Sequence, residues 1–234
     1  MSLKKNGIAV IMNVKIFFCM VACGVLLTGC VSQKELPQQE PQTEVSFQEY
    51  CFSIQNSKLE AGVVQGTPRS LGENDSTIQA AINGVYYGAD DGKPQGSVFI
   101  DGVQYATKKG LVSGYFVLNE KGAFVQEDLS DMQVDHIGTH PILLKDGLVH
   151  QQAQDPRYAR LSNRSAIGTK TGNEVCFALT ESSISMPEWA ELLQVKGYAH
   201  SMNLDGGGES QLYVKDRGSF GLGIEATPLI FFVR

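Results

Sequence analysis

The stretch MNLDGGGESQLYV, residues 202–214, sets an acid, three consecutive glycines and a second acid between two short apolar runs. Three adjacent glycines cost more backbone entropy than a turn requires, so the loop is expected to need a positive φ or a very close approach to its backbone. A loop that binds something meets both needs. Successive amides around Gly206, Gly207 and Gly208 can form a nest for an anion, and Asp205 and Glu209, four positions apart, can converge on one pocket. The alternative is a plain hairpin connection in which Asp205 caps the turn through its own side chain. Two other constellations fail on their own chemistry. DHIGTH, residues 135–140, gathers Asp135, His136 and His140, but Gly138 between them and Pro141 after them oppose the helix that would aim residues four apart at one ion. No metal or other cofactor is therefore expected. Ser210 does not sit on a nucleophile elbow, because Leu212 stands where G-x-S-x-G closes with glycine.

The elements that must position these residues are mostly short strands. Apolar alternation surrounds Asp101-Gly102 in SVFIDGVQYA, Asp146-Gly147 in PILLKDGLVH and Thr171 to Asn173 in AIGTKTGNEVCFAL, and such turn residues favour hairpins. Two helices are expected. NDSTIQAAI offers Asn74 or Asp75 as a cap before a short apolar-faced turn or two. SMPEWAELLQVKG has Ser185 and Glu188 at capping-box spacing, Pro187 in the first turn, Trp189, Leu192 and Leu193 on one face, and Gly197 as the stop. The expected fold class is α+β: one strand-dominated domain over residues 47–234, with mixed sheets and a few short helices.

Ahead of that domain, Lys4, Lys5 and Lys15 precede an apolar run from Ile16 to Leu27, which is too short to span a bilayer comfortably. The ending Leu27-Thr28-Gly29-Cys30 resembles the bacterial lipobox, which implies cleavage before Cys30 and acylation of that cysteine. An ordinary secretory signal is the alternative, and Met12 is a second candidate start. Residues 31–46, VSQKELPQQEPQTEVS, have almost nothing to bury and are expected to form a flexible tether. Val31 and Ser32 leave no aspartate beside the cysteine, which by resemblance to enteric lipoproteins implies the periplasmic face of the outer membrane. Removing residues 1–29 takes away three lysines and no acid, moving the formal charge from -6 to -9. No basic cluster follows, so nucleic acid is not an expected partner. Of five cysteines, Cys19 and Cys23 leave with the signal and Cys30 takes the lipid. Cys51 and Cys176 remain, either as a disulfide or as two separately buried thiols.

Four strings in order carry a resemblance across about 130 residues: AINGVYY at 81–87, GTHPILLKDG at 138–147, RSAIG at 164–168 and MNLDGGGES at 202–210. They resemble the motifs of the phosphodiester glycosidase family. The resemblance implies a sugar joined through its anomeric oxygen to a phosphodiester, and so a site with carboxyl groups beside a phosphate-binding group. It implies catalytic roles for Asp205, Glu209 and Arg164, with the Arg164 fork on phosphate oxygens. It further implies substrate contacts from Asn83, Gly84, Gly206, Gly207, Gly208 and Ser210. This sequence departs from the pattern at Val85, where a second glycine is usual, at Glu209, where a serine is usual, and at Thr139-His140 before Pro141.

Two functions compete. One is a lipid-anchored hydrolase of a sugar-phosphodiester in the cell envelope or exopolysaccharide; the other is a non-catalytic lipoprotein that binds a phosphorylated glycan in the same cleft. The anchor has its own test. Replacing Cys30→Ser should block processing and leave a larger, unacylated precursor on immunoblots. Normal maturation and release of that variant would mark an ordinary secretory signal instead.

Overall fold

The computed structural model describes residues 45–234; the signal-like segment, Cys30 and all of the tether but its last two residues lie outside the described residues. Three antiparallel sheets make up the domain. The first has six strands in the order β1 (Phe47–Ser53), β12 (Glu174–Ile184), β11 (Ser162–Thr169), β13 (His200–Asn203), β9 (Ile142–Lys145) and β10 (Leu148–Val149). The second runs β15 (Gly218–Gly221), β14 (Gln211–Val214), β3 (Ala80–Asn83), β16 (Thr227–Val233) and β2 (Leu59–Gly66). The third runs β5 (Val103–Lys109), β4 (Gly96–Ile100), β8 (Asp135–Thr139), β6 (Gly114–Asn119) and β7 (Gly122–Gln126).

Strand dominance agrees with the sequence, but the expectation of mixed sheets is corrected: every strand pairing among the described residues is antiparallel. Hairpins account for the pairings of consecutive strands, such as β4 with β5 and β11 with β12, while others, such as β1 with β12 and β3 with β16, are antiparallel pairings of strands distant in sequence. The three anticipated turns close hairpins. Asp101 and Gly102 take φ 56° and 75°, Asp146 and Gly147 take 52° and 75°, and Gly172 takes 82°.

One helix falls where it was expected and one does not. Helix α2 (Met186–Val195) starts at Ser185, whose Oγ accepts from the Glu188 amide while the Glu188 carboxylate accepts from the Ser185 amide. The expected helix after Asn74 is a strand, β3, and helix α1 (Pro68–Asn74) lies just before it. Thr67-Pro68 is the real start, with the Thr67 side chain capping Ser70 and proline in the first turn. Asp75 ends that helix and turns its carboxylate onto the Thr77 amide and hydroxyl, at 3.0 and 2.6 Å.

Alternation along the strands explains how three sheets enclose one core. Ile82 of β3, Phe231 of β16, Phe177 and Leu179 of β12 and Ile167 of β11 face inward, where they meet Phe116 and Ile137 of the third sheet. Their neighbours face outward onto helices. Ala166, Cys176 and Ala178 pack under Trp189 and Leu193 of α2, while Ala81, Ile230 and Phe232 pack with Leu71 of α1. Each large apolar side chain so buried contributes about 1.5 to 3 kcal/mol.

Cys51 and Cys176 stand opposite each other on β1 and β12, with Cα atoms 4.0 Å apart, and are joined as a disulfide. The bridge spans 125 positions of sequence. Loop-closure models for that length give roughly 4 to 5 kcal/mol. The double variant Cys51→Ala/Cys176→Ala should therefore unfold at markedly lower denaturant than the oxidised protein, with a deficit of about 2 to 5 kcal/mol. Titration of two free thiols in the unreduced, denatured domain would refute the bridge.

Candidate active site

Asp205 is held at a junction. It follows β13 of the first sheet, and the chain then passes through Gly206 to Glu209 into β14 of the second. Its amide donates to the Gly84 carbonyl at 3.1 Å. Its carbonyl accepts from Asn83 Nδ2 at 2.8 Å and from Ser165 Oγ at 2.5 Å. Asn83 Nδ2 also reaches Ser165 Oγ at 3.0 Å, and Asn83 Oδ1 accepts the Gln211 amide at 3.2 Å. One buried carboxamide thus fastens β3, β11 and both ends of the glycine loop. The backbone of Asp205 is fastened in this way on both its polar groups, and the residue lines the cleft.

The glycines answer to specific constraints. Gly207 takes φ 74°, a conformation other residues adopt only under strain. A Cβ on Gly208 would stand 2.6 Å from Glu225 Oε1, so that position must be bare for the Glu225 carboxylate to lie against the loop. The chain after Ser210 is folded back over the loop by the Gly223 and Ile224 amides, which donate to the Ser210 and Gly208 carbonyls at 3.2 and 3.0 Å.

The resulting cleft, of about 400 Å³, is lined by groups of both charges. The cations are Arg157, Arg160 and Arg164; the acids are Asp205, Glu209 and Glu225, close enough to one another on the glycine loop and its neighbour to interact electrostatically. Arg164 leaves β11 beside a register irregularity between Ser162 and Arg164, the kind of local kink that re-aims a side chain. Only 9% exposed, it donates through Nε to the Ile184 carbonyl at 3.3 Å and through Nη2 to the Arg160 carbonyl at 2.6 Å. Both partners are neutral carbonyls. Burial lowers its pKa from the ordinary guanidinium value, and an arriving anion would reverse that cost.

Among the acids the balance is reversed. Burial, reinforced by the negative charges of Glu209 and Glu225, pushes Asp205 up to about 7, and the Gly206 amide at 2.8 Å only partly opposes the rise. Glu225 is also raised, by its contact with Glu209. Tyr87 donates its hydroxyl to Glu209 Oε1 at 2.8 Å, and that bond holds the phenol up at about 12. Tyr86 is raised further by burial, and its hydroxyl accepts from Asn203 Nδ2 at 2.6 Å.

Of the residues expected at the site, the structure brings Arg164, Asp205, Gly206, Gly207, Gly208 and Glu209 into one cleft. Asn83, Gly84 and Ser210, expected to contact substrate, are placed elsewhere. Asn83 and Ser210 are completely buried, and Gly84 lies so tightly against the Leu229 carbonyl that a Cβ there would collide with it. Asn83 spends both ends of its amide within the fold, so it positions Asp205 rather than lining the cleft. Val85 is also core, fully buried among apolar side chains, and is not part of the cleft wall. His136 and His140 turn to separate partners: His136 meets Ser97 Oγ at 2.8 Å, and His140 meets Ser113 Oγ at 2.9 Å and the Tyr158 hydroxyl.

Sequence reasoning missed Tyr86, Arg157, Tyr158, Arg160, Ser162 and Glu225. Tyr86 adjoins Asn83-Gly84-Val85 and was within reach of the motif argument. Glu225 lies in a loop with no pattern of its own, so nothing local could have found it.

Comparison with known proteins bears on the family and the fold. The phosphodiester glycosidase family model matches residues 76–228. The catalytic domain of zebrafish N-acetylglucosamine-1-phosphodiester alpha-N-acetylglucosaminidase, auto-inhibited by its pro-peptide, superposes with a TM-score of 0.61 at 15% identity, covering 84% of this chain and 85% of that one. A Burkholderia pseudomallei protein superposes with a TM-score of 0.56 at 11% identity, covering 80% of this chain and 73% of the other. No curated protein matches the sequence. At such identities the superpositions establish the fold, and the match that takes in Asn83, Arg164 and the whole glycine loop establishes the lineage: this chain belongs to the phosphodiester glycosidase family.

Proposed function

We propose that the protein is a hydrolase that releases a sugar from a sugar-1-phosphodiester in the cell envelope or exopolysaccharide, held at the membrane through Cys30. The observation that carries this reading is the pairing, in one cleft, of a buried Arg164 whose two hydrogen bonds go only to carbonyls with a buried Asp205 raised to about 7. The phosphate would lie against Arg164, its charge meeting a guanidinium already stripped of water. The anomeric carbon would then face Asp205. As the bond from C1 to the phosphate oxygen breaks, the ring gains positive character and the electron pair leaves with the phosphate. An ionised Asp205 stabilises that ring, and Arg164 stabilises the departing phosphomonoester. Water supplies the hydroxyl at C1, with its proton passing to a carboxylate of the Asp205, Glu209 and Glu225 group. The products are a reducing sugar and a phosphomonoester. Phosphate leaves readily, so the reaction makes little demand for a strong general acid.

The purified protein assayed against a panel of sugar-1-phosphodiesters, with reducing sugar as the readout, tests the reading directly. Its kcat/KM should rise with pH along a limb centred near 7, because the ionised form of Asp205 is the active one. Asp205→Asn should lower kcat by about 10²-fold or more and remove that limb. Arg164→Ala should chiefly raise KM if the arginine captures ground-state phosphate, and lower kcat as well if it holds the leaving group. Absence of hydrolysis, with phosphoglycan affinity that depends on Arg164 but not on the Asp205 charge, would replace the enzyme with a binding protein.

The same carboxyl makes a stability prediction. Its folded pKa lies above the ordinary value of 3.8, so its contribution is most favourable below that value and is lost as pH rises toward 7. Asp205→Asn should accordingly be more stable than the parent at pH 8, by about 2 to 4 kcal/mol, and the gain should shrink to nothing near pH 4. A thermal or denaturant midpoint difference that does not depend on pH would contradict the buried, raised carboxyl.

A further inference from the structure

A second chamber adjoins the cleft. It has a volume of about 280 Å³ and is lined by Tyr86, Gln95, Leu111, His140 and Tyr158. Tyr86 and Tyr158 line both spaces, so the two are neighbours at that pair of rings. Arg157, a cation of the cleft, stands over the Tyr158 ring at 5.9 Å from its centroid, which sets an anion-binding group at the wall the two spaces share.

Most side-chain polar atoms of the chamber wall are already engaged. The His140 ring uses Nδ1 on Ser113 Oγ and Nε2 on the Tyr158 hydroxyl. That second bond also engages the Tyr158 hydroxyl, and the Tyr86 oxygen accepts from Asn203, which leaves the Tyr86 O–H as a donor. Ring faces, ring edges and the Leu111 side chain are what remain, with the Tyr86 O–H and the Gln95 amide as the polar groups at the wall. Leu111 is 63% exposed, a large apolar group left at the surface beside this opening. A sugar needs several free donors and acceptors to replace its water, and this wall has spent most of its own. An alkyl or isoprenoid chain needs none.

Resting on the phosphodiester reading of the cleft, we propose that the chamber walled by Tyr86, Leu111, His140 and Tyr158 receives the apolar alcohol on the far side of the phosphate. The substrate class is then a sugar joined through phosphate to a lipid-like alcohol. His140, where the family pattern has a tighter glycine-proline step, is the specificity-determining residue: it orients the Tyr158 ring and supplies part of the wall.

The product phosphomonoester provides a probe that does not depend on turnover. Calorimetric titration of the purified protein with n-alkyl phosphates from methyl to octyl should show affinity rising about threefold to fourfold for each methylene that becomes buried, then levelling off once the chamber is full. Leu111→Asp, at an exposed position, should flatten that rise, and His140→Gly should alter the chain length at which it levels. In parallel, methyl, hexyl and glycosyl phosphodiesters of the same sugar should be hydrolysed with hexyl the most efficient. Hydrolysis indifferent to the alcohol, or best with the glycosyl diester, would leave the hydrolase standing and overturn the chamber assignment. Chain-length-dependent binding without any hydrolysis would support the chamber and overturn the hydrolase. No binding of any alkyl phosphate would overturn the chamber and the phosphate reading of the cleft together.

Discussion

A single side-chain amide determines where everything else in the site can be. Asn83 sits at the end of β3 in the second sheet, yet its nitrogen holds the Asp205 carbonyl and the Ser165 hydroxyl of the first, and its oxygen holds the amide that begins β14. Hydrogen bonds in a water-free interior are expensive to leave unmade, so the two sheets have little freedom to slide without breaking all three. The register of Asp205 against Arg164 is inherited from that junction. Leu204 adds to it by donating its amide to the Ser165 carbonyl at 2.9 Å.

The cleft built on this junction stores unfavourable electrostatics instead of relieving them. An arginine faces neutral carbonyls, and an aspartate is crowded by two glutamates in surroundings that disfavour its charge. Either group would be better solvated at the surface. Both are tolerated because the apolar contacts beneath them, from Ile82 through Ile167 to Phe231, are far larger in sum. A ligand that carries an anionic group and develops positive charge next to it relieves both strains at once, which is the logic by which a stable scaffold hosts a reactive site.

The sequence made some of this legible and hid the rest, for identifiable reasons. Hairpins at Asp101-Gly102 and Asp146-Gly147 and the cap at Ser185 were readable because turn and cap chemistry is local. The residues after Asp75 were misread, since an aspartate before a threonine suits either a helix cap or an Asx turn, and the Ala-Ala-Ile that follows fits either element once packed. Arg164, Asp205 and the glycine loop were found through motif order. The inward role of Asn83 was not, because a motif says that a residue matters without saying which way it faces. Glu225 and the Tyr86–Tyr158 pair exist as site residues only once distant loops meet. Strand pairing brings them together, and no window of sequence contains it.

The disulfide has a mechanical meaning apart from its stability. β1 is an edge strand, the first ordered strand among the described residues, and Cys51 is its fifth residue, bonded to Cys176 on β12. Pulling on the chain from its N-terminal side would load the pairs from Phe47↔Thr180 to Tyr50↔Phe177 one after another, as a zipper opens. Peeling then stops at a covalent bond. Force would pass directly into β12, a strand flanked on its other side by β11 and backed by Trp189, so fraying of the edge is confined to the four pairs that precede Cys51.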